Sequence, residues 1–285
     1  MVAEGPGTVG VALEAAARRL RSAGNPQGRR EAAHLAEAAW GLAPGQARIG
    51  SDRALPAEAA DHLAALVTRR VAGEPLAHVT GVAGFRHLLL ASDRRALIPR
   101  PETEGLVALV LERMSIGVVA DVCTGSGCIA LALAQEGRYD RVIGVDCSGD
   151  ALALARENAA RTGLHVEWRQ GDLIAPLAGE RLDVLVANPP YLTRSEFETL
   201  DSSVRGWEPS LALESGADGL TATRRLLATG LDVVKPGGWI ALEVDCERAA
   251  AVARLATRFG WMNPVVYQDL YGRARYVLAR RSETS

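Results

Sequence analysis

Residues 182–191 read Leu-Asp-Val-Leu-Val-Ala-Asn-Pro-Pro-Tyr, and this stretch decides the fold. The run Leu182–Ala187 is largely apolar, which is typical of a strand buried on both faces of a parallel sheet. The strand has to end at Asn188, because the prolines that follow donate no backbone hydrogen bond and have a fixed φ angle. Residues 188–191 are therefore predicted to form a stiff turn at the carboxyl end of a strand, the edge where open α/β sheets bind ligands.

The predicted turn offers groups that suit a planar –NH2 group. The Asn188 side-chain oxygen and a prolyl carbonyl of Pro189 or Pro190 can each accept one of its hydrogens. The Tyr191 ring can pack on its face. Asn-Pro by itself is also an ordinary way to end a strand. The four residues together, after a buried strand and with a glycine-rich loop upstream, favour a catalytic and substrate-binding site.

The composition indicates a globular protein without a strong electrostatic field. The chain has 285 residues, is 48% hydrophobic and 23% charged, and carries a formal net charge of -2. A charge so close to zero argues against a protein that wraps nucleic acid through its phosphates. No uncharged apolar run reaches membrane length, and residues 1–7 lack the basic and apolar regions of a signal peptide. We therefore expect a cytoplasmic protein with no membrane partner.

The cysteines and histidines do not indicate a metal site. No Cys-x-x-Cys pair occurs, and the five histidines are scattered along the chain. Buried reduced thiols are the better interpretation than a zinc site or a disulfide framework, so we expect no metal. The four cysteines are Cys123, Cys128, Cys147 and Cys246.

Residues 1–73 are predicted to form a small alanine-rich helical bundle. Thr8 is a candidate N-cap for a helix that ends near Gly24, and two more helices are expected over about 28–40 and 56–71. This part of the sequence contains no cluster of acids, bases or metal ligands. We therefore expect a module that packs or docks a partner and carries out no chemistry of its own.

Residues 74–98 are predicted to join the bundle to the rest of the chain as a β-hairpin. Gly73-Glu74-Pro75 breaks the helical pattern, and the pattern then becomes strand-like and punctuated by glycine. The segment Leu97-Ile98-Pro99-Arg100-Pro101-Glu102-Thr103-Glu104 follows, and a helix is expected from its acidic end to about Arg113. A helix start does not require Arg100 between two prolines, so we expect Arg100 to help order the active site.

From Gly117 the pattern alternates between strand and helix, which predicts a parallel sheet in residues 99–285. A strand ending at Val122 leads into Cys123-Thr124-Gly125-Ser126-Gly127 and then an apolar helix. Glycines let a backbone approach a ligand closely, and the helix N-terminus presents free N–H groups. The next strand ends in Asp146, where an acid accepts hydrogen bonds from ribose hydroxyls in nucleoside-binding folds. The polar turn containing Asp172 and Leu173 is expected to line an adenine pocket.

The loop favours a nucleoside cofactor without a pyrophosphate. It does not match the Gly-x-Gly-x-x-Gly pattern of dinucleotide sites, and a phosphate-binding loop would need a lysine. The only lysine, Lys235, is far away in the sequence. S-adenosylmethionine is the candidate that fits these restrictions.

The remaining pattern completes the predicted sheet. Residues 193–210 are polar and irregular, and we interpret them as a lid. A helix over 219–234 and a tight turn at Pro236-Gly237-Gly238 are expected to follow. Further along we expect a strand over 239–244, a helix over 245–259, and two strands over 264–268 and 275–279.

Together these motifs resemble the glutamine-N5 methyltransferases of peptide chain release factors, the HemK/PrmC family. The resemblance covers residues 75–280, and the N-terminal helices fit in length and composition only. Asn-Pro-Pro-Tyr alone is shared with adenine-N6 methyltransferases, whereas the segment 97–104 is much more specific to the glutamine family. The other matching segments are 121–127, Asp146, 207–209, 216–220 and 269–273.

The resemblance implies an α/β fold, in which a methyltransferase domain with a Rossmann-like sheet uses S-adenosylmethionine as its cofactor. A β-hairpin would join this domain to the N-terminal bundle. It also implies methylation of the glutamine amide in the Gly-Gly-Gln loop of release factors. The enzyme would act as a monomer and would not bind nucleic acid directly. Residues 188–191 and Arg100 would then serve the substrate, with 188–191 catalytic. The residues implied to contact the cofactor are Cys123, Thr124, Gly125, Ser126, Gly127, Asp146, Asp172, Leu173 and Asn188.

The sequence departs from the family pattern at a few positions. Cys123 stands where the family has the first glycine of its loop, and a Cβ at this position is obstructive if φ is positive. Asp245 and Arg248 stand where glycine and glutamine usually follow the glutamate that ends a strand, which is Glu243 in this chain. His87 replaces a glycine.

Three alternatives remain open on the sequence. The substrate is a glutamine of a ribosomal protein in the first and an adenine of nucleic acid in the second. In the third, the chain is a methyltransferase fold kept as a non-catalytic scaffold.

Overall fold

A computed structural model of the protein describes residues 7–43 and 45–283. Residues 1–6, on which the expectation about a signal peptide largely rests, lie outside the described residues. None of the described helices combines the length and apolar character that crossing a bilayer requires. The helices are α1 (Val9–Ser22), α2 (Gly28–Trp40), α3 (Ala57–Val71), α4 (Leu76–Thr80), α5 (Thr103–Arg113), α6 (Cys128–Glu136), α7 (Gly149–Thr162), α8 (Arg194–Thr199), α9 (Ser202–Arg205), α10 (Thr221–Thr229) and α11 (Ala249–Arg258). The strands are β1 (Val82–Phe85), β2 (Leu88–Ala91), β3 (Ile116–Val122), β4 (Arg138–Asp146), β5 (Glu167–Gln170), β6 (Leu182–Ala187), β7 (Val234–Glu243), β8 (Met262–Gln268) and β9 (Ala274–Arg280).

The described residues through Val82, together with Ser202–Trp207, form one compact unit. Its first three helices confirm those predicted from the sequence. The Thr8 hydroxyl caps α1 by accepting from Val11 N at 3.4 Å, and Gly41 ends α2 in the left-handed conformation that glycine adopts without strain. Small and branched apolar side chains from the helices form a core of their own, which includes Ala17, Leu20, Leu35, Leu63 and Val67.

The prediction of strand from Leu76 onward was wrong at its start, because α4 occupies Leu76–Thr80. Pro75 precedes the helix, where its missing N–H costs nothing. The Thr80 hydroxyl donates to the Leu76 carbonyl at 3.0 Å, and Gly81 ends the helix with φ +73°. The predicted hairpin follows as β1 and β2.

The second compact unit, residues 83–201 and 208–285, is built on a seven-stranded sheet. Its strand order is β5-β4-β3-β6-β7-β9-β8, in which β9 runs antiparallel to both β7 and β8 and the other pairs are parallel. Alternating side chains on each central strand enter different cores, so that Val119 and Val184 face one core while Ala120 and Leu185 face the other. The mostly parallel sheet and its two buried faces confirm the predicted α/β class.

The register of the sheet places the carboxyl ends of four strands in one row. Val145, Val122, Ala187 and Leu242 are consecutive partners across β4, β3, β6 and β7. The residues that follow them are therefore neighbours at the carboxyl edge. Since β3 and β6 are adjacent while the chain leaves β3 in the other direction, this row also contains the topological switch point where α/β sheets bind ligands. The four residues of the row are Asp146, Cys123, Asn188 and Glu243.

Two further predictions need correction. The segment predicted to be irregular contains α8, whose start is a capping box in which Thr193 and Glu196 each bond the other's backbone N–H. The predicted helix over 219–234 is shorter, since α10 ends at Thr229, a short 3-10 turn follows and β7 begins at Val234. The turn at Pro236-Gly237-Gly238 lies inside β7, where it shifts the register against β6.

Candidate active site

The glycine-rich loop leaves β3 with its first residue in a strained conformation. Cys123 has φ +62°, in the left-handed region that costs residues with a Cβ about 1–2 kcal/mol. Gly125 and Gly127 also have positive φ. The loop is closed by hydrogen bonds from Thr124 N to Val145 O at 3.0 Å and from Gly127 N to Thr124 O at 2.9 Å. The backbone of the loop is thereby fixed before α6 begins.

A buried carboxylate supports this loop from below. Asp121 is fully buried, and its Oδ2 accepts from the Thr124 hydroxyl and from Ala130 N at 3.1 Å, in the first turn of α6. Burial raises the pKa of Asp121 to about 7, although these two hydrogen bonds act to lower it. Its Oδ1 has no hydrogen-bond partner among the described residues. Asp121 therefore joins the end of β3, the loop and the start of α6.

Asp146 ends β4 beside the loop and fixes two backbone segments. Its Oδ2 accepts from Gly125 N and its Oδ1 from Ser148 N, both at 2.9 Å. Each carboxylate oxygen has a second lone pair, and Asp146 lines the cavity described below. Asp146 can therefore accept hydrogen bonds from ligand hydroxyls without leaving the loop.

Asp172 and Leu173 lie on the same side of the site. Leu173 has φ +49° and packs partly buried against the core. The Asp172 carboxylate is held by Arg225, whose Nη2 lies 2.6 Å from Oδ2 and whose Nη1 lies 3.2 Å from Oδ1. Its side chain is 61% exposed, so this pair is a surface salt bridge that solvent screens.

The turn after β6 divides into residues that face the cavity and residues behind it. Asn188 and Pro190 line the cavity, whereas Pro189 is buried and Tyr191 is half-buried. Asn188 Nδ2 donates to Thr103 Oγ1 at 3.3 Å. Burial and, to a smaller extent, the nearby Glu243 raise the pKa of Tyr191 to about 12. Tyr191 is therefore neutral at pH 7.

Arg100 is ordered by a buried acid. Its Nη2 donates to Glu208 Oε1 at 2.6 Å, and Glu208 Oε2 accepts from Ile98 N at 3.1 Å. The Glu208 side chain is 1% exposed. One carboxylate thus fixes both the backbone and the guanidinium of the segment that precedes α5.

These groups surround one cavity of about 300 Å³, near the lower end of the range for small-molecule sites. Among the residues predicted to form the site, Gly127, Pro189 and Tyr191 do not line it. Those that line it are Arg100, Cys123, Thr124, Gly125, Ser126, Asp146, Asp172, Leu173, Asn188 and Pro190.

The charges around the cavity fit S-adenosylmethionine better than a phosphate. Each of the lining arginines is engaged by a carboxylate: Arg95 by Asp93 and Glu157, Arg100 by Glu208, and Arg225 by Asp172. The lining acids Asp146 and Glu214 form no ion pair with the described residues. The local charge is therefore negative, which suits a sulfonium cation. Within the described residues no three His, Cys, Asp or Glu side chains could hold a metal ion.

Sequence reasoning missed several residues of the site. Thr103 lines the cavity, and Glu208 and Glu243 are buried behind it. One wall comes from residues 209–225, which include Leu211, Ser215 and Thr221. Glu208 could have been suspected from its place in the Trp-Glu-Pro match to the glutamine family. Thr103 lies in the matching segment 97–104 and Glu243 at the end of a predicted strand, but the contact of Thr103 with Asn188 could not be predicted because the two residues are distant in sequence.

Two family models match the chain. The PrmC N-terminal domain matches residues 11–81, and the methyltransferase small domain matches residues 103–202. The first match lies within the helical unit, and the second includes the strands β3, β4, β5 and β6 of the sheet.

Several curated relatives match nearly the whole chain. The release factor glutamine methyltransferase of Moorella thermoacetica is 41% identical over 97% of this chain and 99% of its own length. The protein of the same name from Cereibacter sphaeroides is 38% identical over 94% of this chain and 97% of its own length. The one from Deinococcus radiodurans is 43% identical over 76% of this chain and 78% of its own length.

Solved structures support the fold. A methyltransferase from Pyrococcus furiosus has a TM-score of 0.51 at 16% identity and covers 68% of this chain and 88% of its own. A ribosomal protein L11 methylase from Lactobacillus delbrueckii subsp. bulgaricus has a TM-score of 0.50 at 19% identity and covers 70% and 98%. Sequence identities this low support a shared fold only. With the identities of its curated relatives over most of their length, the chain belongs to the release factor glutamine methyltransferases and is a methyltransferase that uses S-adenosylmethionine.

Proposed function

We propose that the protein transfers a methyl group from S-adenosylmethionine to the side-chain nitrogen of the glutamine in the Gly-Gly-Gln loop of peptide chain release factors. The observation that carries this proposal is the Asn188 turn, which lies beside the cofactor loop and directs its side-chain oxygen away from Thr103. The relatives that match over most of their length bear the name of this activity. The cytoplasm, where release factors act, is the proposed location.

Residues of the turn would hold the substrate amide. The Asn188 side-chain oxygen and the Pro189 carbonyl would each accept one amide hydrogen, and Pro190 and Tyr191 would shape the opening around it. An amide nitrogen is a weak nucleophile because its lone pair is delocalised over the carbonyl. The work of the turn is therefore to fix the nitrogen in the direction of attack, which is an effect of proximity and orientation. No general base has to act before transfer, since the proton can leave afterwards.

The loop and its neighbours would hold the cofactor, which supplies an electrophilic methyl group when bound. We assign the methionine part to residues 123–127, the ribose to Asp146, and the adenine to the Asp172–Leu173 turn. The unpaired charges of Asp146 and Glu214 would favour the sulfonium electrostatically. Arg100, held by Glu208, would keep the segment before α5 in place beside the substrate.

Mass spectrometry of a release factor tests this function. A purified release factor incubated with the enzyme and S-adenosylmethionine is expected to gain one methyl group on the glutamine of Gly-Gly-Gln. A release factor carrying Glu at that position is the matched substrate control and should gain none. Cofactor binding without any methyl gain on the natural substrate would move the activity to another amide or amine.

The N-terminal bundle, residues 1–73, is proposed to bind the protein substrate. Its described part contains a cavity of about 720 Å³ with a largely apolar lining, and Ile49 there is 77% exposed. Ile49→Glu is expected to raise KM for the release factor several-fold while the cofactor Kd stays unchanged. Val71→Glu is the control, because Val71 is also exposed but lies outside this cavity. Equal effects of both changes would argue against the cavity as the contact.

A further inference from the structure

Two buried side chains behind Asn188 have no part in the function proposed so far. Thr103, at the start of α5, is 2% exposed, and Glu243, at the end of β7, is 1% exposed. Thr103 Oγ1 accepts from Asn188 Nδ2 at 3.3 Å, and the Thr103 hydroxyl also lies close enough to the Glu243 carboxyl to act on the pKa of that carboxyl. The order of contacts therefore runs from the buried carboxyl through the hydroxyl to the amide that lines the cavity.

The direction of these hydrogen bonds follows from the donors each group has. An ionised carboxylate only accepts, and a threonine hydroxyl has a single hydrogen. When Thr103 donates that hydrogen to Glu243, only its lone pairs remain for Asn188. Asn188 must then present its NH2 to Thr103, and its Oδ1 faces the other way. The described part of the chain directs no hydrogen bond at that Oδ1.

This direction matters because the two ends of an amide have nearly the same shape. A hydrogen bond of Asn188 to the hydroxyl alone would permit both orientations, since a hydroxyl donates as well as accepts. An inverted Asn188 would present hydrogens to the hydrogens of the substrate amide. A carboxylate at Glu243 that takes the only hydrogen of Thr103 would remove this alternative.

We propose that Thr103 and Glu243 are positioning residues that fix the side-chain orientation of Asn188, so that its oxygen accepts from the methyl-accepting amide. The inference rests on the proposed function, because it assigns Asn188 the same substrate contact. Neither residue is expected to touch the substrate's reacting nitrogen.

The start of α5 is held by contacts that do not involve the Thr103 hydroxyl. The Tyr276 hydroxyl donates to the Glu102 carbonyl, and Arg273 Nη2 donates to Glu102 Oε1 at 3.0 Å. Thr103 N donates to the Arg100 carbonyl at 3.0 Å. Removal of the hydroxyl therefore leaves the backbone anchored, which allows orientation to be separated from folding.

The protonation state of Glu243 provides a second way to test the relay. Burial raises its pKa to about 7, and a protonated Glu243 would have a hydrogen of its own to donate. Thr103 could then turn its hydrogen toward Asn188, and the fixed direction would be lost. The other charged or titratable groups that act on Glu243 are Arg275, Glu102, Asp269, Tyr191, Tyr276 and Cys128.

The decisive experiment compares Thr103→Val, which keeps the shape, with Thr103→Ser, which keeps the hydroxyl. Steady-state methylation of the release factor should show kcat reduced about 10- to 100-fold in Thr103→Val, on the scale of losing one preorganised hydrogen bond, with near wild-type kcat in Thr103→Ser. Isothermal titration with S-adenosylmethionine should give the same Kd for both. Equal kcat in the two variants, or a parallel loss of cofactor binding in Thr103→Val, would overturn the inference. Absence of methylation by the wild type would instead refute the proposed function.

The pH profile supplies the independent readout. Wild-type kcat should fall as the pH drops through about 7, whereas Glu243→Gln, whose side-chain oxygen still accepts from Thr103, should lose this dependence. A merely structural role of Glu243 would leave the profile of the folded enzyme unchanged, and that result would overturn its part in the relay.

Discussion

Each of the two walls of the cavity contains a buried carboxyl beside a threonine hydroxyl, but the two pairs hold different parts of the structure. On the proposed cofactor side, a buried aspartate, Asp121, accepts from the hydroxyl of Thr124. On the proposed substrate side, a buried glutamate, Glu243, lies beside the hydroxyl of Thr103, which acts on the pKa of its carboxyl. Burial raises the pKa of both acids to about 7.

The difference lies in what each pair holds. Asp121 also accepts from the backbone of α6, and Thr124 N donates to the Val145 carbonyl, so this pair fixes main chain. Thr103 contacts the side chain of Asn188 instead. The proposed cofactor wall is therefore specified by backbone conformation and the proposed substrate wall by side-chain orientation. Changes on the two walls should therefore separate binding from transfer.

Asn188→Ala is the strongest test of that separation. The change removes the proposed acceptor for the substrate amide but no contact of the cofactor loop, so we expect transfer to fall by at least about a thousandfold, below detection in most assays. Titration calorimetry should show an unchanged Kd for S-adenosylmethionine. Loss of both properties together would mean that Asn188 supports the fold or the cofactor.

The pH dependence of stability should be shared by both walls. A carboxyl whose pKa is raised on folding binds its proton more tightly in the folded state, so stability is highest at low pH and falls as the pH rises to about 7. For Glu243, from 4.5 to about 7, the loss is about 3 kcal/mol. Urea unfolding at pH 5 and pH 8 measures it.

Glu243→Gln and Asp121→Asn should each reduce this pH dependence. In Asp121→Asn, the new amide nitrogen can occupy the place of Oδ1, which has no partner among the described residues. A reduction from only one of the two variants would break the parallel between the walls.

Asp146→Ala should affect the cofactor wall alone. The substitution removes an acceptor proposed for the ribose, and we expect the Kd for S-adenosylmethionine to weaken by about 1–3 kcal/mol, the range for a hydrogen bond to a charged group. Asp150→Ala is the control, since Asp150 is an exposed acid that lies outside the cavity. An equal loss in both variants would indicate a general effect of negative charge.

The smallest effect concerns the backbone of the cofactor loop. Cys123 has φ +62°, and a β-branched residue fits this conformation poorly, so Cys123→Val should lower the free energy of unfolding by about 1–2 kcal/mol. Cys123→Gly should change it by less than about 1 kcal/mol, because relief of strain and added freedom of the unfolded chain oppose each other. Cys147→Val is the control at a cavity-lining cysteine with negative φ. Denaturant unfolding of the three variants distinguishes strain from loss of the thiol.

Local patterns predicted most of the fold. The predicted bounds of α2 and β6 agree with those of the structure. A glycine after the helix and the helical spacing of its apolar residues indicate α2, and the prolines that follow the strand end β6. The helix over 76–80 was missed because apolar and β-branched residues there resemble a strand, while the proline before it and Gly81 after it determine the structure. The capping box at Thr193 was a readable signal for α8 that the polar composition obscured.

The site was predictable only where a short motif carries it. The turn at Asn188 and the loop at Cys123 could be placed from their neighbours in sequence. The partner of Arg100 lies 108 residues away and that of Asn188 lies 85 residues away. Such pairings depend on the order and register of the strands, which sequence patterns do not specify. The same reason explains why Asp172 could be predicted to line the site but its pairing with Arg225 could not.

The register row that contains Asn188 also bears on chemical ageing of the substrate. With Asn188 Nδ2 committed to Thr103 and no N–H on Pro189, the two groups proposed to hold the substrate amide, Asn188 Oδ1 and the Pro189 carbonyl, can only accept hydrogen bonds. A glutamine that had deamidated to glutamate would meet this turn with two lone-pair-rich oxygens. A site built to form hydrogen bonds with a substrate group rejects an analogue that lacks this group by a factor of about 10⁴ or more. The enzyme would thus leave damaged release factors unmethylated, and the mark would report an intact glutamine.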